Sequence, residues 1–112
     1  MNLSLIVPVY NEEENLPLLF NAVEEALKSI KHSWEIVFVD DGSRDKSLDV
    51  LKSLVDRDPN HVRVVVFRRN FGQTAAIAAG IDNSHGDIIV LLDADMQNDP
   101  ADIPMLLAKL DE

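Results

Sequence analysis

The chain has 112 residues, enough for one small domain and too few for two. Its formal net charge is −10 and it contains no cysteine. That excludes disulfides, thiolate metal sites and nucleic-acid binding through a broad basic surface. A phosphate-bearing ligand would need a cation or a local basic group to approach so negative a chain. Hydrophobic residues make up 46 % of the sequence, sufficient for a core. No apolar run approaches the ~20 residues needed to span a bilayer. Met1-Asn2-Leu3-Ser4 lacks the basic stretch of a signal peptide.

The first predicted element is a strand over Leu3–Val9. Its near-continuous hydrophobicity suggests burial on both faces, as in a parallel sheet. Pro8 is unusual there, because it cannot donate to a ladder, and it marks a bulge or the fraying strand end. Leu16, Leu19, Phe20, Val23, Leu27 and Ile30 then repeat at three- and four-residue spacing, the stripe of an amphipathic helix. Asn15 is positioned to cap it, and Pro17 falls in its first turn. A second strand covers Glu35–Val39, and Ser43 or Asp45 can start the helix carrying Leu48, Leu51, Leu54 and Val55. Asp58-Pro59-Asn60 ends that helix. Val62–Phe67 is the third strand, followed by an alanine-rich helix over Gln73–Ile81 with Gly80 inside it. The fourth strand is Asp87–Leu92. A last helix, Ile103–Leu110, is capped by Asp99 or Asp102, and Pro104 favours the later start. Its pattern is still running at Leu110-Asp111-Glu112. The β-α alternation predicts an α/β fold: an open, mainly parallel sheet with helices on both faces.

In such sheets ligands bind at the carboxyl ends of the strands, where strand order reverses. The polar residues cluster at those ends. They are Tyr10-Asn11-Glu12, Asp40-Asp41-Gly42-Ser43, Arg68-Arg69-Asn70 and Asp93-Ala94-Asp95-Met96-Gln97. Alternate positions of an extended segment point the same way, which would aim Asp93, Asp95 and Gln97 at one ion. Three oxygen donors suit magnesium or manganese bridging a diphosphate. The same residues also suit Asx turns and a helix cap, but four converging polar loops favour a site. Asp40 and Asp41 can accept from a nucleobase or ribose, although Asp-Gly is also an ordinary turn pair. Tyr10 can stack on a base, and Asn11 or Glu12 can hydrogen-bond it. Arg68 and Arg69, the only adjacent basic pair, can meet a diphosphate or a phosphorylated acceptor, with at least one of them pointing into solvent. His32, His61 and His85 lie far apart near element ends and read as surface residues. Dinucleotide and P-loop glycine fingerprints are both missing.

Taken together, Val7-Pro8-Val9-Tyr10-Asn11-Glu12-Glu13, Val39-Asp40-Asp41-Gly42-Ser43 and Asp93-Ala94-Asp95-Met96-Gln97-Asn98-Asp99-Pro100 resemble the successive motifs of family 2 glycosyltransferases. Arg68-Arg69-Asn70-Phe71-Gly72-Gln73 with Ala79-Gly80-Ile81-Asp82 is similar to the branch acting on polyprenyl phosphates, the dolichol-phosphate mannosyltransferase-like enzymes. The resemblance implies the Rossmann-like half of a GT-A fold, a UDP- or GDP-sugar donor, Mg2+ or Mn2+, and a polyprenyl-phosphate acceptor. It places Pro8, Tyr10, Glu12 and Asp41 around the nucleobase, with Asp40 supporting them. Asp93 falls near the ribose or the metal, Asp95 and Gln97 on the metal, and Arg68 or Arg69 near phosphate. Family members continue past the metal motif, so the acceptor part and the catalytic residue are expected beyond residue 112, and none is assigned here. Residues 1–112 are then the nucleotide-sugar-binding part alone. The full-length protein is expected to be cytoplasmic, at the inner membrane face, reaching the membrane only through that later part. The alternative is a non-catalytic nucleotide-sugar-binding fragment or pseudoenzyme. A signalling receiver domain does not fit, since its acidic pair follows strand one rather than strand two.

Overall fold

The computed structural model describes residues 2–110. The expected continuation of the helical pattern through Asp111-Glu112 lies outside the described residues. In chain order the elements are β1 (Asn2–Val9), α1 (Leu16–Leu27), β2 (Ser33–Asp40), α2 (Ser47–Arg57), β3 (Val62–Val66), α3 (Gln73–Asp82), β4 (Ile88–Leu91), a 3-10 turn (Pro100–Asp102) and α4 (Ile103–Leu110). All four strands are parallel, in the order β3-β2-β1-β4. The α/β expectation is met, with helices on both faces.

Side-chain parity divides the core. Leu3, Leu5, Val7 and Val9 of β1 and Ile36 and Phe38 of β2 point to one face. There they meet Leu16, Leu19, Phe20, Val23 and Leu27 of α1, Leu51 and Leu54 of α2, and Ile103 and Leu107 of α4. The opposite residues, Ile6, Val37 and Val39, face Ala76 of α3. This second layer is thin because α3 is built of small residues. A Cβ on Gly80 would overlap Ile6 Cγ2 and stand 3.3 Å from Val39 Cγ2, so the helix sits almost on the sheet. Gly80 is therefore a packing requirement, not a weak point in the helix. Beyond the reach of α3, Ile89 and Leu91 of β4 remain exposed.

Several local expectations are corrected. Ile30 lies past the end of α1, in a turn where its N–H reaches the Leu27 carbonyl, yet it still packs on the core. Asn15 stands at the α1 N-cap but makes no capping bond; its amide turns back to the Glu12 carboxylate at 2.7 Å. Helix α2 begins at Ser47, whose N–H goes to Asp45 Oδ1 at 2.9 Å, so Asp45 and not Ser43 serves its start. Asp99 caps the 3-10 turn through the Ala101 N–H, and that turn leads into α4.

Pro8 is neither bulged nor frayed: it pairs in register with Val39 on a strand that runs on to Val9. On its other side, the Ile6 carbonyl accepts the Leu92 N–H at 3.0 Å. The next donor on that side of β1 belongs to Pro8, which has none. The β1–β4 ladder therefore stops, and the chain after Leu92 is free to turn away.

At the amino ends of the strands, Glu35 ties four segments together. Its Oε2 accepts the Ser4 hydroxyl at 2.7 Å and the His85 N–H at 2.6 Å, and its Oε1 meets Arg63 Nε at 2.9 Å. Burial alone would raise its pKa; the hydrogen bonds from Ser4 and from the His85 backbone and side chain, with the Arg63 charge, outweigh that and hold it below the usual 4.5. A depressed folded-state pKa gives stability that is present above the unfolded value and lost as pH falls through the folded one. The urea midpoint should therefore hold steady above about pH 5 and drop below it. Glu35→Gln should lower the neutral-pH midpoint and flatten that drop. Separately, Gly80→Val should cost roughly 1–3 kcal/mol by overpacking, read by chemical denaturation.

Candidate functional site

The strand order reverses between β1 and β4. At the carboxyl end of that junction lies a cavity of about 670 Å³. Pro8, Tyr10, Glu12, Asp41, Asp93, Asp95 and Gln97, all singled out from sequence, line it. Asp41 and Asp95, which follow different strands, thus face one space. Val9, Asn70, Gly72, Gln73 and Ala94 complete the lining.

Three of the four loops are stitched together. Asn11, held at φ 54, donates its N–H to Ser43 Oγ at 2.9 Å. Its side-chain oxygen accepts the Arg44 N–H at 2.8 Å and the Asp45 N–H at 3.3 Å. Glu12 N–H goes to the buried Ser47 Oγ at 2.8 Å and Glu13 N–H to Asp45 Oδ2 at 3.3 Å. Asp45 titrates below its ordinary value: slight desolvation opposes the shift, and the Ser47 hydroxyl, the Ser47 amide and the Glu13 amide produce it. The second loop joins the third through Asp41, whose carboxylate accepts the Phe71 N–H at 2.7 Å and the Gly72 N–H at 3.0 Å.

The fourth loop differs. Strand β4 stops at Leu91, and the Met96 N–H folds back to the Asp93 carbonyl at 3.1 Å. Met96 takes φ 62 and packs against the core. Asp93, Asp95 and Gln97 are therefore carried on a turn and not on an extended strand end, because the ladder that would have kept the chain straight has ended. Gln97 Nε2 donates to Asp95 Oδ2 at 3.0 Å. Among the described residues, no hydrogen bond or ion pair joins the side chains of Asp93 or Asp95 to another loop.

Asp40 stands apart: its buried carboxylate accepts the Ser43 N–H at 3.2 Å and does not line the cavity. Arg68 and Arg69 are exposed outside the lining, and the Arg69 guanidinium lies 4.6 Å from the centre of the Phe71 ring. His61 stacks on Trp34 at 3.9 Å and hydrogen-bonds Asp58 at the far end of the sheet. Sequence reasoning missed Gln73 as a lining residue and gave no site role to Asn70 or Gly72. The signal was present in their place directly after strand three.

The lining carries four carboxylates, from Glu12, Asp41, Asp93 and Asp95, and no Lys, Arg or His. Its donors are carboxylate and amide oxygens, the set a hard divalent cation prefers. Among the described residues, no three His, Cys, Asp or Glu side chains are placed to hold an ion by themselves. Any cation there must take further oxygens from Gln97, water or the ligand.

Residues 4–112 match the model of glycosyl transferase family 2. The chain belongs to this family. It is 48 % identical over 106 residues to an undecaprenyl-phosphate 4-deoxy-4-formamido-L-arabinose transferase of Pseudomonas fluorescens, covering 95 % of the chain and 31 % of that protein. It is 45 % identical over 111 residues to a dodecaprenyl-phosphate galacturonate synthase of Rhizobium johnstonii, covering 99 % of the chain and 33 % of the relative. The chain thus spans about a third of the length of these relatives. Among solved structures, S. aureus TarS 1–349 in complex with UDP superposes with a TM-score of 0.83 at 25 % identity, over 99 % of this chain and 32 % of that one. A Pyrobaculum calidifontis mannosyltransferase in complex with GDP-Man and Mn2+ shares the fold at TM-score 0.75 and 24 % identity, over 83 % and 27 % of the two chains. The polyprenyl-phosphate branch expected from the sequence is thereby met by the relatives.

The stitch between the first two loops predicts a cost. Ser47→Ala would leave the Glu12 N–H without its acceptor and should destabilise the chain by about 1–3 kcal/mol in urea. An unchanged midpoint would mean the loops are held some other way.

Proposed function

We propose that this chain is the donor-binding part of a glycosyltransferase that moves a sugar from a nucleoside-diphosphate sugar to a polyprenyl phosphate. The observation that carries the reading is the cavity between β1 and β4, acidic on every charged side. A diphosphate cannot enter it alone, because like charges repel in a partly desolvated cleft. Mg2+ or Mn2+ held by Asp93, Asp95 and Gln97 would reverse the local sign and neutralise the departing nucleotide. The transferase relatives, which share polyprenyl phosphate in their names, support the acceptor class.

The chain's own residues then divide the work. Tyr10 offers a ring to the base, with Pro8 shaping the floor beneath it. Glu12 and Asp41 supply acceptors for base or ribose N–H and O–H groups. Asp40 supports this loop from below through Ser43. Arg68 and Arg69, exposed on the third loop outside the lining, would favour the approach of a phosphate through their charge. Turnover belongs to the whole protein and to a catalytic group outside these residues; among the described residues no helix is long and apolar enough to cross a membrane. In this reading the full-length protein works at the cytoplasmic membrane face, where a lipid phosphate is presented.

Calorimetry with UDP and GDP, each with and without Mn2+, tests the proposal. One nucleotide should bind only with the metal, and Asp95→Asn should weaken that binding at least about tenfold. If the folded chain binds neither nucleotide in a metal-dependent way, the reading falls.

A further inference from the structure

We propose that Asp41 is a positioning residue, a latch that sets the third-loop wall of the cavity before any ligand arrives. The inference rests on the donor-site reading above but assigns Asp41 a task beyond contact with a ligand. Asp41 is buried, 4 % exposed as a residue, and both carboxylate oxygens are engaged, Oδ1 by the Phe71 N–H at 2.7 Å and Oδ2 by the Gly72 N–H at 3.0 Å. The Asn70 side chain adds a bond to the Asp41 carbonyl at 3.3 Å. Three successive residues of one loop thus hang from a single residue of another.

The surroundings show why the latch is needed. Gly42 takes φ +72, and a Cβ there would overlap the Arg69 carbonyl carbon and stand 2.6 Å from Asn70 N. The third loop lies directly on the Gly42 backbone, a seat that glycine alone permits. Gly72 takes φ +103 and leads into α3. The first amides of a helix lack partners within it and carry its positive end, so an anion just before Gln73 is well placed. Asn70, Gly72 and Gln73 are the residues this loop gives to the cavity. The latch therefore fixes one wall of the site, while each Asp41 oxygen keeps a second lone pair for a ligand.

An aspartate is required because both acceptors are used. Asparagine would offer one oxygen and turn an NH2 group against the other amide. The test is Asp41→Asn, studied first without metal or nucleotide. The Phe71 and Gly72 amide protons should move upfield, and their exchange should accelerate at least about tenfold. Trypsin should cut after Arg68 and Arg69 faster, while Phe67, bonded to the Asp40 carbonyl, keeps its protection. Affinity for the Mn2+–nucleotide pair should fall about tenfold although Asp93, Asp95 and Gln97 are intact.

Unchanged exchange and cleavage in a folded Asp41→Asn variant would overturn the latch. Faster exchange with unchanged nucleotide affinity would overturn the positioning role. If that variant does not fold, Asn70→Ala decides, since Asn70 is exposed. It should speed cleavage after Arg68 and Arg69 by a smaller factor, and no change would count against the proposal. Failure of the unaltered chain to bind either nucleotide would instead sink the glycosyltransferase reading, leaving the ligand-free rates to judge the latch.

Discussion

Pro8 withholds the one N–H that the β1–β4 ladder needs beside Leu92, and the architecture of the site follows from that missing donor. Up to Ile6 the two strands are held in parallel register. After Leu92 the chain turns, and Asp93 to Gln97 swing into a loop while β1 runs on to Val9 beside β2. A crevice opens where the strand order reverses. A residue with an ordinary amide at position 8 would allow one more rung and draw Asp93 towards a straight extension of β4. The proline that looks misplaced in a central strand is what ends pairing on one side while leaving it intact on the other.

The second consequence concerns charge. β2 alternates strictly, so Val37 and Val39 face α3 and Asp41 follows them to that side, whereas Asp40 follows Phe38 towards the larger core. One carboxylate of the pair reaches the cavity and the other braces its own turn. Adjacent identical residues thus receive different tasks from strand parity alone. With Glu12, Asp93 and Asp95 added, the cavity concentrates part of the chain's net charge of −10 in one cleft. The exposed arginines of the third loop lie outside this lining. In the donor-site reading proposed above, a cation would be needed before this interior could accept a phosphate.

Most of the fold was legible because hydrophobic runs and helical stripes are long-range patterns that burial enforces. Among the described residues the four strands and four helices appear where periodicity puts them, and each polar strand end gives residues to one crevice, although Asp40, Arg68 and Arg69 stay outside its lining. What escaped the sequence was local. Asn15 has the right identity for a cap, but the Glu12 carboxylate is a nearer partner for its amide. Asp93, Asp95 and Gln97 were expected on an extended segment, and nothing in their spacing reveals that Met96 takes a left-handed turn. The family resemblance already set Asp41 apart from Asp40; what the residues alone did not give was the physical reason, the strand parity that sends the two side chains to opposite faces. Gln73 looked like an ordinary helix start, because its role depends on where Asp41 holds the preceding loop.

These two kinds of loop differ in stiffness, and the difference bears on how a ligand would meet them. The first three are cross-linked through Asn11, Asp41, Ser43, Asp45 and Ser47, with side-chain oxygens satisfying main-chain amides. Holding such groups in advance removes the ordering cost that a ligand would otherwise bear. The fourth loop is anchored by Leu92, Ala94 and Met96 in the core and by the Met96 N–H bond to the Asp93 carbonyl, while Asp93 and Asp95 line the cavity. Two like charges left without a basic partner repel each other and everything anionic nearby. In the donor-site reading a bound cation would relieve that repulsion, leaving the cross-linked side of the crevice for recognition and the acidic turn for admission. A ligand bringing its own divalent ion would satisfy both sides at once, whereas a free nucleotide would satisfy only the first.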